Sequence, residues 1–299
     1  MNEKLIQIEA KRKKLYEQYS SQMKKAIMIA LLIGASVGLV FSLIPDFRDV
    51  SLYFFGLFII PLIMGATATK YSKTFRDIIK SELITVVLED KFDEVQYNQH
   101  ASISQATIDF TGMVKQADRF KGEDYIRGSY NGVQFETSDV EMRERVEHVD
   151  SKGNRTVSYP IYFKGRWYVF RFEKTLDGAL KICESYPRSR QGLEKFDTES
   201  IQFNKKFKLY ASDKQFAFYH LNPIMMEKLL ELEKMHRGKI YFYYAGNELH
   251  IGVNDNQDYL EMPFRKEINQ ESIKVFEGDI DLIPAIIKEM KLDSRKFKK

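Results

Sequence analysis

Two charge-free apolar runs dominate the first quarter of the chain: AIMIALLIGASVGLVFSLI, residues 26–44, and SLYFFGLFIIPLIMGATAT, residues 51–69. Each is 19 residues long. As a helix, such a run spans about 28 Å, close to the roughly 30 Å hydrocarbon thickness of a bilayer. Neither has a polar face, so neither reads as a surface helix in water. Between them lie Pro45, Asp46, Arg48 and Asp49, which break a helix and are costly in hydrocarbon. The pattern predicts a transmembrane helical hairpin with spans 26–44 and 51–69 and a tight turn at 45–50. A secretory leader is not expected, because a long basic segment precedes the first run and the second follows at once.

The flanks are amphipathic. Leu5, Ile8, Leu15, Tyr19 and Met23 fall at helical spacings before the first run, and Tyr71, Phe75, Ile79, Leu83 and Val87 repeat every four residues after the second. Residues 1–25 therefore read as an amphipathic cytoplasmic helix and 70–95 as a helical stalk. Because the turn makes the spans antiparallel, the two extensions can bury their stripes together. The other reading lays residues 1–25 on anionic lipid. Gly34 and Gly38, with Gly56 and Gly65, suit close packing of the spans, and Pro61 predicts a kink.

From about residue 96 the period changes from four to two. Asn131-Gly132 stands between two alternating runs, the strongest short hairpin signal. Lys164-Gly165 reads as a second turn between aromatic strands, and GKIYFYYAGNELHIGV, residues 238–253, as a third hairpin. Asn222 and Pro223 open a helix over NPIMMEKLLELEKMH, and DIDLIPAIIKEMKL closes the domain with Pro284 at a start or kink. Hairpins with a few segregated helices give an α+β fold, mostly antiparallel, over residues 96–290. A basic tail, 291–299, follows.

Charge is unevenly spread. Residues 1–80 hold 12 basic and 6 acidic side chains and residues 291–299 hold 5 and 1, leaving the body at about −6 although the whole chain is +4. An acidic body argues against a nucleic-acid groove. The cations flank the apolar runs instead: Lys11, Arg12, Lys13, Lys14, Lys24 and Lys25 before, Lys70, Lys73, Arg76 and Lys80 after, with Arg48 alone in the turn. This predicts a two-span protein of the cell membrane with both termini cytoplasmic, and anionic lipid near Lys11, Arg12, Lys13, Lys14, Lys24, Lys25, Lys70 and Lys73. A single cysteine, Cys183, excludes an internal disulfide.

Three blocks carry a resemblance: FKGEDYIRGSYNGVQFETSDVEM, YFKGRWYVFRF and FNKKFKLYASDKQFAFYHLNPIMMEKLLEL. They resemble an uncharacterised bacterial integral membrane protein family that pairs two N-terminal spans with a C-terminal domain of unknown function. The layout covers most of the chain, the sequence blocks only about 118–262. The resemblance implies this domain order and brings no activity, cofactor or catalytic residue.

Motifs for chemistry are sparse. No phosphate-cradling glycine loop is present. His100, His148, His220, His236 and His250 are scattered without metal-ligand spacing. Asn254 to Asp258 lacks the glycine and closing glutamate of a calcium loop and reads as a turn. Cys183 reads as a small core residue. Asp213, His220 and Asn222 bring a base, an acid and an amide together, yet each has an ordinary role in a turn, at an element edge or as a cap. Glu123 and Asp124 read as the start of a strand. The aromatics Tyr162, Trp167, Tyr168, Phe170 and Phe172 fit a sheet covered on both faces, with an open tyrosine-rich face as the other reading. No catalytic residue, cofactor or metal is assigned. The expected function is a membrane-anchored binding or scaffold module facing the cytoplasm, the alternative a membrane-tethered enzyme using carboxylates such as Asp213 or Glu123. A channel is disfavoured, since neither run holds a charge.

Overall fold

A strict repeat of four residues drifts by about 40° per step around an α-helix of 3.6 residues per turn. The chain answers this drift with a change of helix. In the computed structural model, α2 (Phe55–Thr74) passes into a π-helical turn, Phe75–Lys80, and then into α3 (Ser81–Glu89). The wider π turn rotates less per residue and keeps Phe75, Ile79 and Leu83 buried together. Residues 3–42, 55–235 and 237–298 are described, with side chains for all of these except 37–38, 40–42, 55–63 and 235.

The chain forms two compact units, Met1–Val86 with Met262–Lys274 and Val87–Glu261 with Val275–Lys299. In the first, α1 (Glu3–Ser42) packs along α2. Leu5, Ile8 and Tyr19 are buried and Leu15 and Met23 half-buried. Lys11 pairs with Glu82 at 2.7 Å, and Tyr19 meets Tyr71 edge-on at 5.7 Å. The segment 262–274, expected in the sheet domain, belongs to this unit as a strap. The ring of Phe264 lies 5.6 Å from Tyr16, 5.4 Å from Tyr19 and 5.1 Å from Phe75. Glu9 accepts from Arg12 Nε at 2.7 Å and from the Ile268 amide at 2.9 Å, while Arg12 Nη1 donates to the Phe264 carbonyl at 3.3 Å. Burial works to raise the Glu9 carboxyl, but Arg12 and the Ile268 amide outweigh it and hold it below its ordinary value. Arg12 is only 4% exposed. Its guanidinium is spent on Glu9 and the strap: sequence shows the charge and not its partner.

The strap gives a direct test. Phe264→Ala should cost about 1–3 kcal/mol locally, for a half-buried ring and its edge-on contacts. Hydrogen exchange should quicken over 262–274 and leave the sheet strands unchanged.

Among the described residues, no helix is long and apolar enough to cross a membrane. The expected turn at 45–50 lies outside the described residues, as do the side chains of Gly38, Gly56 and Pro61. Gly65, expected at a helix contact, has open space where a Cβ would sit.

The second unit holds a mixed α and β fold around an antiparallel sheet. Strand β1 (Asp93–Asn98) is followed by α4 (Gln105–Phe110), then β2 (Arg119–Tyr130), β3 (Val133–Arg143), β4 (Val146–Val149), β5 (Arg155–Ser158), β6 (Ile161–Cys183) and β7 (Glu194–Phe196). Next come α5 (Ile201–Lys206), β8 (Lys208–Ala211), α6 (Lys214–His220), α7 (Pro223–Met235), β9 (Lys239–Asn254) and α8 (Gln270–Glu289), of which residues 270–274 belong to the first unit. Sheet order is β1-β2-β3-β6-β8-β7, with β9 along β6; β4 and β5 form a separate exposed ribbon.

The Asn131-Gly132 turn joins β2 to β3, both residues at positive φ. The other two expected hairpins are absent. Lys164-Gly165 lies inside β6, where Gly165 at φ +151° continues the strand between Val140 and Asn254. Residues 239–254 form one strand whose two halves pair with the two halves of β6. Both strands shift register at one place, Arg171 to Ala179 opposite Gly246, so the glycine that reads as a turn serves a bend. A hairpin would have left half of β6 without this partner. Helix α8 starts at Gln270 and carries Pro284 in its interior. The 291–299 tail is not a loose end: Phe297 is buried on Phe172 at 4.5 Å, and its carbonyl accepts from the Lys174 amide.

Both sheet faces are covered. Ile103, Ile108 and Met113, in and around α4, pack on Val140, Phe163, Trp167 and Tyr241. Buried Lys181 donates to the Ser189 carbonyl at 2.8 Å and to Gln191 at 2.7 Å, which ties the 185–193 loop over the same face. The opposite face carries Phe135, Tyr168, Phe170 and Phe172, closed in part by Phe92, α8 and Phe297.

Candidate functional site

Two neighbouring pairs in the β3–β6 register, Asp139 with Arg166 and Thr137 with Tyr168, put four polar side chains on one buried face. Arg166 is 0% exposed and donates through Nε to Asp139 at 2.5 Å. The other oxygen of Asp139 accepts from the Tyr259 amide at 2.9 Å, and the Tyr259 ring lies 5.0 Å from the guanidinium. Asp124 is buried at a bulge in β2, at φ +57°, and accepts from the Tyr97 hydroxyl. Asp279 of α8 accepts from the Leu260 amide at 2.9 Å. Asp139 thus binds the guanidinium directly, and Asp124 and Asp279 interact with its charge.

Burial pushes Asp139 up to about 6 against the pull of Arg166. Burial also raises Asp279, with the Leu260 amide and Arg166 pulling the other way. For Arg166, burial opposes the charge, but Asp139, Tyr168 and Asp124 outweigh it and keep the arginine charged. The unfolded aspartate titrates near 3.9, so between about 4 and 6 the folded chain holds the proton more tightly. The contribution of Asp139 to stability is thus complete below about 4 and is lost as pH rises through 6. A carboxyl-carbon NMR titration should place its midpoint near 6; a midpoint below 4 would contradict the burial argument.

Asp139 also reaches a narrow surface cleft of about 40 Å³, lined by Lys121, Gly122, Glu123, Glu141, Lys164, Gly165 and Asp258. Glu123 pairs there with Lys121 at 2.8 Å and Asp258 with Lys164 at 3.0 Å. On the other face of β6 a relay crosses three strands. The Trp167 indole can only donate, so at 3.5 Å it fixes His250 Nδ1 as acceptor and leaves Nε2 to donate to Glu248 at 3.0 Å. Glu248 takes Arg171 at 2.9 Å, and Arg171 reaches Glu136 at 2.5 Å. A polar hollow of about 360 Å³ lies beside Arg171, Arg127 and Gln134.

An apolar groove of about 340 Å³ lies between α7 and α8. Met225, Leu229 and Leu232 form one wall and Leu282, Ala285, Ile286 and Met290 the other, with Lys228 and Glu289 paired across the rim. The α7 wall starts at a firm cap, where Asn222 accepts from the Met225 amide at 2.9 Å. The volume lies within the range of small-molecule sites.

The residues singled out from sequence do not converge. Asp213 caps α6 by accepting from the Phe216 amide at 2.7 Å. His220 is buried among Phe216, Tyr244 and Phe297, and burial, with Lys296 and Lys174, pushes it down to about 3. Cys183 is buried and its thiol is pushed up to about 12. Among the described residues no group of His, Cys, Asp and Glu could hold a metal; His236 lies outside them. Glu123 lines the cleft. Asp124 is not at a strand start but at the bulge, inside the arginine cluster.

A family model described as a protein of unknown function (DUF3137) matches residues 161–292. A domain of unknown function therefore covers Arg166, the relay from Trp167 to Arg171 without Glu136, and both walls of the groove. No curated protein matches the chain. Among solved structures, the crystal structure of the mycobacterial trehalose monomycolate transport factor A, TtfA, is similar at 6% identity and a TM-score of 0.37. The similarity covers 70% of this chain and 95% of that one. At that score it bears no weight on fold or function.

Proposed function

We propose that this protein is a membrane-tethered binding module of the cytoplasmic face. Residues 26–44 and 51–69 serve as its two spans, the turn at 45–50 lies outside, and the α7/α8 groove takes an unbranched aliphatic chain such as a membrane amphiphile supplies. Two observations support the tether. Met28, Ile29, Leu31, Leu32, Ile33 and Leu39 are all exposed on α1, an apolar surface that water does not tolerate at this density. The runs also carry no charge while cations gather at their outer ends.

The observation that carries the binding reading is the groove itself. Its walls are aliphatic and thioether side chains, with charge confined to Lys228, Glu231 and Glu289. It offers no aromatic face for a planar ring and no interior hydrogen-bonding group for a sugar or nucleobase. Met225 and Met290 adapt to a flexible chain. The test is the full chain in lipid nanodiscs with a diazirine on the acyl chain, in one arm as a phospholipid and in the other as a free fatty acid. Cross-links are expected on peptides 223–235 and 282–290 and should fall at least tenfold in Ala285→Trp, which fills the groove. Labelling confined to 26–69, or indifferent to Ala285→Trp, would refute it.

One observation favours the enzyme reading: Glu123, Asp139, Glu141 and Asp258 meet at the 40 Å³ cleft, with Asp139 raised to about 6. That space admits little beyond water, and Glu123 and Asp258 are engaged by lysines. A function lost in Glu123→Gln and kept in Ala285→Trp would select the enzyme; the reverse pattern selects the binding module.

A further inference from the structure

Four buried polar atoms on one side of the sheet have no hydrogen-bond partner in the protein: Nη1 and Nη2 of Arg166, the Tyr168 hydroxyl and Thr137 Oγ1. Arg166 and Thr137 are 0% exposed and Tyr168 is 1% exposed. Thr137 is the register partner of Tyr168, and Arg166 stands two residues before it in β6. A buried donor or acceptor left unpaired carries its whole desolvation cost, and four sharing one face point to a ligand.

We infer that this face binds ordered water, which bridges the Arg166 guanidinium to Tyr168 and Thr137. Charge separates water from the alternatives. Two guanidinium N–H edges beside two hydroxyls would suit an oxyanion by geometry. Asp139, however, already holds the guanidinium at 2.5 Å, and Asp124 and Asp279 add negative charge that acts on it. An added anion would face this negative excess at low dielectric. An apolar ligand would leave all four atoms unpaired. Water accepts from the guanidinium and both donates to and accepts from hydroxyls, which is the pairing these atoms lack. Asp139 joins the site to the surface, since it holds Arg166 Nε and also lines the cleft of about 40 Å³, space for one or two waters. The inference does not depend on the α7/α8 groove.

High-resolution crystals of the full chain, native and bromide-soaked, test it. Ordered water is expected within hydrogen-bond distance of both Nη atoms and of the Tyr168 hydroxyl, unmoved by bromide. Bromide at the guanidinium, or Nη atoms satisfied wholly by protein acceptors, would overturn the assignment. In solution, oxygen-17 relaxation dispersion counts long-lived internal waters. The conservative double variant Thr137→Val/Tyr168→Phe should hold fewer of them than the parent, at unchanged secondary structure. An unchanged count in a folded double variant also overturns it.

Discussion

Arg166→Met should destabilise the sheet domain by about 3–5 kcal/mol at neutral pH, the cost of leaving buried charge without its counter-charge. The guanidinium lowers the carboxyls of both Asp139 and Asp279 against the effect of burial. Without it, those groups take protons at higher pH. The sign follows: the deficit should be largest near pH 8 and should shrink toward pH 5, as protonation removes the buried negative charge. Urea unfolding of the parent and variant at the two pH values measures this. A deficit independent of pH would mean that lost packing, and not unbalanced charge, sets the cost.

Gly165→Ala is expected to cost about 2–5 kcal/mol, combining an overpacked contact with a backbone region that side chains avoid. A Cβ there would lie 2.1 Å from the Val253 carbonyl oxygen and 2.9 Å from an oxygen of Asp255, at φ +151°. The first neighbour is backbone of β9, so relief requires opening the β6–β9 ladder beside Arg166. Gly132→Ala supplies the control. It also sits at positive φ, +78°, but with nothing within 4 Å, so it should cost only about 1–2 kcal/mol. Similar unfolding midpoints for the two variants would place the cost in φ alone.

Local signals were legible wherever one short stretch decides the outcome. Asn131-Gly132 demands positive φ, and Asn222-Pro223 starts a helix whatever surrounds it. The four-residue stripe from Tyr71 announced a buried face, although not the π turn that keeps it straight. Reading failed where a distant partner decides. Lys164-Gly165 and Gly246-Asn247 have turn composition, but β6 and β9 are both long enough to pair through them. The 262–274 strap hangs on Phe264, which has no periodic neighbour to announce it. The arginine cluster was missed for the same reason, since Asp139, Arg166, Tyr259 and Asp279 come from four separate elements. One hint was present: Arg166 shares its strand parity with Tyr168, Phe170 and Phe172, so a charge was already aligned with an aromatic face. The groove was invisible, because its lining residues read as ordinary helix cores until α7 and α8 are placed side by side.

The proposed tether carries the rest of the functional account, and extraction of membranes at alkaline pH tests it most directly. Cells expressing the full chain are lysed without detergent, and the sedimented envelopes are washed with carbonate. The chain should stay wholly in the pellet and be released only by detergent, while a variant lacking residues 26–69 should appear in the supernatant. A full-length chain that washes free without detergent would contradict the account.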